Sequence, residues 1–292
     1  MSAGTRIELT LASATMQLSY AGHSDRGAVR RLNEDSYLAA PPLFVVADGM
    51  GGHSFGDRAS QAAIAAFAGV FDPARATHPD VVLDTIRRAN EAVLALTAGP
   101  ELAGTVSGTT LVGLALVELE ATAGSHWMAF NVGDSRVYGW DGRSLSQLSV
   151  DHSAVQELVE QGEITKSEAE KHPMRNVVTR ALGADDEVDA DVWLFPAGDR
   201  QTFLLCSDGL TKELSDDEIA RIIVFHYAAS AESDALAPTL AERLVNAAIA
   251  AGGSDNVTVV VVDSQLDGVD SADEDTIDRG MPTFLEETRP RG

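Results

Sequence analysis

Arg136-Val-Tyr-Gly-Trp-Asp-Gly-Arg-Ser-Leu-Ser-Gln-Leu-Ser-Val150 is the stretch that decides the fold class. Its step Asp141-Gly142 sits between two β-rich runs and both residues tolerate positive φ, so residues 136–140 and 144–150 are predicted to pair as an antiparallel hairpin. Upstream, 109–118 and 127–132 also read as strands; downstream, 193–195 and 202–206 are joined by the turn Pro196-Ala-Gly-Asp199, and 257–262 is a buried run. Nearer the N-terminus Met16, Leu18 and Tyr20 alternate with polar residues, and firm patterning starts at Met16. Leu43 to Ala47 is a compact apolar strand that empties into Asp48, then Gly49, Gly51, Gly52 and His53, where the backbone is free to turn sharply.

Helical signals come in separate runs. Ala59, Ala62, Ala63, Ala66, Phe67, Val70 and Phe71 share one face, as do Val82, Ile86, Ala89, Val93 and Leu96. Ile219, Ile222 and Ile223, then Leu236, Leu240, Leu244, Ala248 and Ala251, repeat the pattern. A helix with one apolar side lies on a sheet. Segregated runs with antiparallel hairpins predict an α+β fold with helices on the outer faces of sheets, not a doubly wound parallel fold.

The 292 residues can bury one large core. One domain is expected over 16–263, after an N-terminal extension at 1–15, with a polar excursion at 151–183 and an acidic, thinly apolar tail at 264–292 expected to be disordered. A net charge of −24 and a pI near 4.4 disfavour nucleic acid and anionic membranes and make cations the natural counterparts. The longest apolar run, 111–117, stops at Glu118, short of the ~18 residues that span a bilayer, so no membrane span is expected. Ala12-Ser13-Ala14 imitates a signal cleavage site, but Glu8 and Thr10 interrupt the apolar region before it. The single Cys206 excludes an internal disulfide and a cysteine metal site, reads as a small core residue, and fits a cytoplasmic location.

Aspartates recur at element ends: Asp35, Asp48, Asp134, Asp208 and Asp255, several beside glycine. Singly each is turn chemistry, and Glu34 and Asp35 beside Arg30 and Arg31 read equally as a solvated patch. Together they read as carboxylates converging at one edge of packed sheets. All-oxygen donors suit Mg²⁺ or Mn²⁺ rather than zinc. Two such ions ~3.5–4 Å apart can activate water for in-line phosphoryl displacement. Arg30, with its planar fork, is the candidate for the phosphate.

These residues lie in motifs: Val29-Arg30-x-x-Asn33-Glu34-Asp35-Ser36, Ala47-Asp-Gly-Met-Gly-Gly-His53, Ser107-Gly-Thr-Thr110, Val132-Gly-Asp-Ser-Arg136 and Asp151-His-Ser. His172-Pro-x-Arg-Asn176, Thr179-Arg-Ala-Leu-Gly183, Leu205-Cys-Ser-Asp-Gly-Leu210 and Gly253-Ser-Asp-Asn-Val-Thr258 follow. In this order they resemble the bacterial metal-dependent serine/threonine protein phosphatases of type 2C, the PPM family. The resemblance implies a four-layer αββα sandwich of two antiparallel sheets with outer helices, and two Mn²⁺ or Mg²⁺ ions in the cleft between the sheets. By it, Asp48 bridges both ions, the Gly49 carbonyl binds one, Asp208 and Asp255 are direct ligands, and Glu34 and Asp35 act through water. Asp134 with Asp208 matches a third, weaker site; Arg30 holds the phosphate; and 151–183 is a flap. It further implies phosphorylated proteins and their serine/threonine kinase as partners of a monomeric enzyme. Eukaryotic relatives carry a histidine, a proposed general acid, where this chain has Met50, as bacterial members commonly do; water or His53 are the remaining proton donors.

Gly52-His-Ser-Phe-Gly56 also spells the nucleophile elbow of a serine hydrolase, with Asp208 and His226 downstream in the required order. Against it, Gly49-Met-Gly-Gly52 separates Ser54 from the strand, and the fold reads antiparallel. A catalytically dead binding module of the same family would have lost ligands, and none of the matched positions is lost. In the tail, Thr276 and Thr288 follow acidic residues, as phosphothreonine sites do; the plainer reading is a solvated tail.

Overall fold

The computed structural model describes residues 4–11, 14–51, 55–98, 107–119, 124–229 and 237–267. The strands are β1 (Thr5–Thr10), β2 (Thr15–Asp25), β3 (Asp35–Ala40), β4 (Leu43–Gly51), β5 (Ser107–Thr109) and β6 (Leu111–Glu118). They continue with β7 (Ser125–Val132), β8 (Arg136–Trp140), β9 (Leu145–Gln147), β10 (Asp191–Pro196), β11 (Arg200–Cys206) and β12 (Val257–Asp267). The helices are α1 (Gly56–Phe67), α2 (Pro79–Ala95), α3 (Ala154–Glu160), α4 (Lys166–Ala169), α5 (Asp208–Glu213), α6 (Asp216–Ala229) and α7 (Leu240–Ala251).

Side-chain alternation along β4 shows how the layers arise. Phe44 and Val46 point between two sheets, into a core with Leu18, Leu114, Trp127, Leu205 and Val260. Leu43, Val45 and Ala47 point the other way, onto Ala59, Ala63 and Phe67 of α1 and Ile86 and Val93 of α2. β12 does the same from the opposite sheet: Val260 and Val262 face the inner core, while Val257, Val259 and Val261 meet Ile219 and Ile223 of α6 and Leu244 and Ala248 of α7. The result is helix, sheet, sheet, helix. Each fully buried Val, Leu or Phe contributes roughly 1.5–3 kcal/mol of apolar transfer, so the three apolar layers dominate stability.

One sheet runs β1-β2-β12-β11-β8-β9, the other β10-β7-β6-β4-β3, with β5 paired to β4. Every strand pairing is antiparallel. The predicted hairpin is present: Trp140 faces Leu145, and Asp141 Oδ1 accepts the Arg143 and Ser144 N–H groups at 2.7 Å. Its loop spans four residues, 141–144, one more than expected, Gly142 takes a φ of +91°, and the second strand is Leu145–Gln147 rather than the full 144–150.

Several expectations are corrected. Residues 5–10, expected in an N-terminal extension, form β1, which pairs with β2 and buries Leu9. β12 runs on to Asp267, past the expected start of the tail; residues 268–292, with Thr276 and Thr288, lie outside the described residues. α1 ends at Phe67 instead of reaching Phe71. The strand expected over 109–118 breaks at Thr110, because β5 pairs with the end of β4 and β6 with its middle. β4 itself does not stop at Ala47: Gly49, Met50 and Gly51 continue it against Thr109, Gly108 and Ser107. Among the described residues no helix is long and apolar enough to cross a membrane.

Candidate metal centre

Asp35 and Asp48 stand directly opposite each other in the β3–β4 ladder, which sets two carboxylates side by side at one edge of the sandwich. The backbone of Asp48 is clamped where β4 changes partner. Its N–H donates to Thr110 Oγ1 at 3.0 Å, and its carbonyl accepts from Thr109 Oγ1 and from the Thr110 N–H, both at 2.9 Å. Gly49 follows in the tightest place: an added Cβ would lie 2.1 Å from the Gly56 carbonyl oxygen and 2.6 Å from that of Glu34. Only glycine fits there, which leaves the Gly49 backbone at the centre. Glu34, half-buried, accepts the Gly49 N–H on its carbonyl at 3.2 Å.

The other sheet locks onto this one through hydroxyls. Ser207 Oγ and Thr258 Oγ1 donate to Asp35 Oδ2 at 2.8 and 2.7 Å, so the ends of β11 and β12 fix a side chain of β3. Asp208 opens α5 immediately after Ser207. Asp255 lies just before β12, where Asn256 donates to the Arg26 and Leu32 carbonyls at 3.0 and 2.8 Å and accepts the Glu34 N–H at 2.8 Å. Asp134 sits in the 133–135 segment. That segment does not turn between neighbouring strands but crosses from one sheet to the other, from β7 to β8. Gly133 makes the crossing at φ +113°, and an added Cβ would lie 2.7 Å from the Thr110 side chain.

Charges of the chain itself answer half of this cluster. Lys212, one turn along α5, places Nζ 2.5 Å from Asp208 Oδ2 and 2.7 Å from Asp255 Oδ2. Arg30 grips Asp255 with its fork, Nε to Oδ1 at 2.8 Å and a terminal nitrogen to Oδ2 at 2.9 Å. Burial raises the Asp255 carboxyl, but Lys212 and Arg30 outweigh it and hold it below the ordinary value. The other half has no such partners. Burial first, then the Asp208 charge among others, pushes Asp35 and Asp134 up to about 7, against the hydroxyl bonds at Asp35 and Lys212 at Asp134. Asp48 is driven well above the carboxylate range by burial and then by Asp35, Asp208 and Asp134. Burial likewise raises Glu34, with Arg30 opposing.

The donor set fits a hard divalent cation. It is all oxygen, and Asp35 Oδ1 and Asp208 Oδ1 are buried without a hydrogen-bond partner, the condition of a group waiting for a ligand. Among the described residues no three Asp, Glu, His or Cys side chains close on one point at ligating distance. Lys212 bridges Asp208 and Asp255 in this arrangement.

The 151–183 segment is tied to the centre at both ends. His152 Nδ1 accepts the Gly133 N–H at 3.1 Å, beside Asp134, while its Nε2 lies 3.3 Å from Asp191. At the far end Leu182 exchanges backbone hydrogen bonds with Thr109, at 3.1 and 2.9 Å. Between them Met174 and Val177 are exposed, as expected of a surface excursion. Asp151 itself is held by Arg136 through three contacts of 2.7–3.0 Å.

Sequence reasoning named Arg30, Glu34, Asp35, Asp48, Gly49, Asp134, Asp208 and Asp255 as candidates, and the structure gathers them at this edge; it did not single out Lys212, Thr110, Asn256 or the Ser207 and Thr258 hydroxyls. All but Lys212 lay inside the quoted motifs, which was the available signal. His53 and Ser54 lie outside the described residues. Of the hydrolase reading, Asp208 belongs to the carboxylate cluster and His226 stands on α6, over the outer face of the other sheet. Cys206 is fully buried, as expected, and burial pushes its thiol up to about 12.

Two sheets with a carboxylate cluster at their common edge define a class, that of the metal-dependent phosphatases. The family model of protein phosphatase 2C matches residues 22–245, and the chain belongs to that family. It is 40% identical over 256 residues to the serine/threonine protein phosphatase PstP of Mycobacterium tuberculosis, covering 87% of this chain and 46% of that protein. The chain thus spans about half the length of these mycobacterial relatives. With the serine/threonine phosphatase stp of Listeria monocytogenes it shares 35% identity, across 83% of this chain and 94% of that one. The crystal structure of M. tuberculosis PstP superposes with a TM-score of 0.70 at 38% identity, covering 84% and 98% of the two chains. The PstP catalytic domain in complex with two manganese ions gives 0.70 at 36% identity, covering 86% and 99%.

Proposed function

We propose that this chain hydrolyses phosphoserine and phosphothreonine monoesters on proteins, using two Mn²⁺ or Mg²⁺ ions, with a third weaker site, and so reverses the action of a serine/threonine kinase. The observation that carries the reading is the facing pair Asp35 and Asp48 with Asp208 and Asp255 at the same edge, two of their oxygens buried without partners. The manganese-bound PstP domain supports the choice of metal. We assign the sandwich from β1 to the end of β12 as the catalytic domain and 151–183 as its flap, in a monomeric cytoplasmic protein.

In this reading Asp48, Asp208 and Asp255, with the Gly49 carbonyl, hold the ions; Glu34 and Asp35 orient water; and Asp134 with Asp208 forms the weaker site. Bound divalent ions supply Lewis acidity, polarising the phosphoryl group and making water nucleophilic at neutral pH. Ser207 and Thr258 fix Asp35 so that only one of its oxygens is free to receive a water proton. Arg30, half exposed at the rim, binds the phosphate oxygens through the fork it now gives to Asp255. Met50 has no proton to give, which leaves water or His53 to protonate the leaving alkoxide. The test is turnover of a phosphothreonine peptide: hydrolysis that requires Mn²⁺ and stops with EDTA is expected, and turnover indifferent to EDTA but silenced by a fluorophosphonate would return the serine-hydrolase reading.

A further inference from the structure

We propose that Lys212 is a built-in competitor for the metal centre: its ammonium and a divalent ion contend for the same oxygens of Asp208 and Asp255, and this contest sets the metal affinity. The inference rests on the two-metal reading above. Lys212 is i+4 from Asp208 on α5, so the helix itself delivers its Nζ to Asp208 Oδ2, and the same nitrogen reaches Asp255 Oδ2 at 2.7 Å. Its side chain is 28% exposed, which gives the ammonium a route to solvent when the oxygens are taken.

The charges argue for competition rather than for simple support. A divalent ion held by Asp208 and Asp255 would face the ammonium at contact range in a weakly screened site, where like charges repel strongly. Lys212 must therefore swing out as an ion enters, and breaking its two ion pairs is subtracted from the gain of binding. Asp35 is held by the Ser207 and Thr258 hydroxyls, and among the described residues neither it nor Asp48 is ion-paired to a lysine or arginine, so no ion pair has to break at either one. The same ammonium covers two half-buried carboxylates and so stabilises the protein at low metal. Lys212 thus trades metal affinity for tolerance of metal depletion.

Calorimetry with Mn²⁺ alone, without substrate, tests this on the 292-residue wild-type chain, Lys212→Met, Lys212→Gln and the control Lys171→Met, an exposed flap lysine. Both Lys212 variants are expected to bind Mn²⁺ about ten-fold tighter or more, with Lys171→Met unchanged. Their melting temperatures in EDTA should fall below wild type, and the rise on adding Mn²⁺ should be larger. A Lys212→Met protein unfolded in EDTA but rescued by Mn²⁺ supports the proposal; if it folds in neither condition, Lys212→Gln decides. Unchanged or weaker Mn²⁺ binding in the variants overturns the competition while leaving the metal centre intact. A wild type that binds no Mn²⁺ overturns the metal reading and this inference with it.

Discussion

Asp35, Asp48 and Asp134 sit on the β3–β4 hairpin and the β7–β8 crossing, bonded only to hydroxyls and backbone, whereas Asp208 and Asp255, after β11 and before β12, are bound by Lys212 and Arg30. Burial pushes the first group up, two of them to about 7; Lys212 and Arg30 hold Asp255 down. One centre therefore contains a half without a direct ion pair, which feels Lys212 only at a distance, and a half already ion-paired. The difference teaches where a metal gains most. On the first half a cation would relieve mutual repulsion; on the second, by the competition proposed above, it would first have to displace ion pairs.

The comparison breaks most visibly at Asp48. Asp48→Asn keeps the shape but removes the charge that three neighbouring carboxylates crowd, and phosphopeptide turnover should fall by about 10³-fold or to background, with Ser54→Ala close to wild type. A Ser54→Ala protein as inactive as Asp48→Asn would reverse the assignment. Arg30→Ala strikes the other half. It removes the phosphate fork and one partner of Asp255 together, so kcat/KM should drop about 10²-fold while Mn²⁺ binding is kept or improved. Steady-state kinetics beside a Mn²⁺ titration separates these two effects.

How much of this was legible depended on distance along the chain. The Asp141-Gly142 hairpin, the one-sided helices and the aspartates beside glycines are local signals, so they were readable. Asp48 and Asp208 each follow an apolar strand, and that local design repeats. Lys212 meets Asp255 across 43 residues and Asp48 meets Thr110 across 62; nothing local announces either contact. Strands β10 and β11 are joined by a short turn yet enter different sheets, because the turn constrains their ends and not their pairing partners. β1 was misplaced for a different reason: exposed Arg6 and Glu8 alternate with Ile7 and Leu9, a half-buried edge strand whose polar side dominates the reading.

Acidity offers a milder probe of the same contrast. Asp35 and Asp134 titrate near 7 in the folded chain against an ordinary 3.8, so between those values the native state holds protons that the unfolded chain has released. Stability must then fall as pH rises from about 4 to 7, with the penalty fully present above 7. Asp255, lowered instead, acts only below 3.8 and does not enter that window. In EDTA the melting temperature should be lower at pH 8.0 than at pH 5.5, and Mn²⁺ should narrow the gap. A melting temperature that rises across this range would contradict the uncompensated half.

The smallest effect separates charge from scaffold. Thr110 Oγ1 accepts the Asp48 N–H at 3.0 Å and lies 2.8 Å from Ser135 Oγ in a fully buried site, so it joins the Asp48 backbone to the segment carrying Asp134. Thr110→Val keeps the volume and branching but leaves both neighbours without that oxygen, a loss of about 1–3 kcal/mol in urea unfolding. Thr110→Ser, which keeps the hydroxyl, should recover most of it. Because Thr110 touches no carboxylate oxygen, the slope of stability against pH should stay as in wild type even though its level drops. If Thr110→Val instead flattened that slope, the raised carboxyls would depend on the backbone clamp rather than on burial and mutual charge.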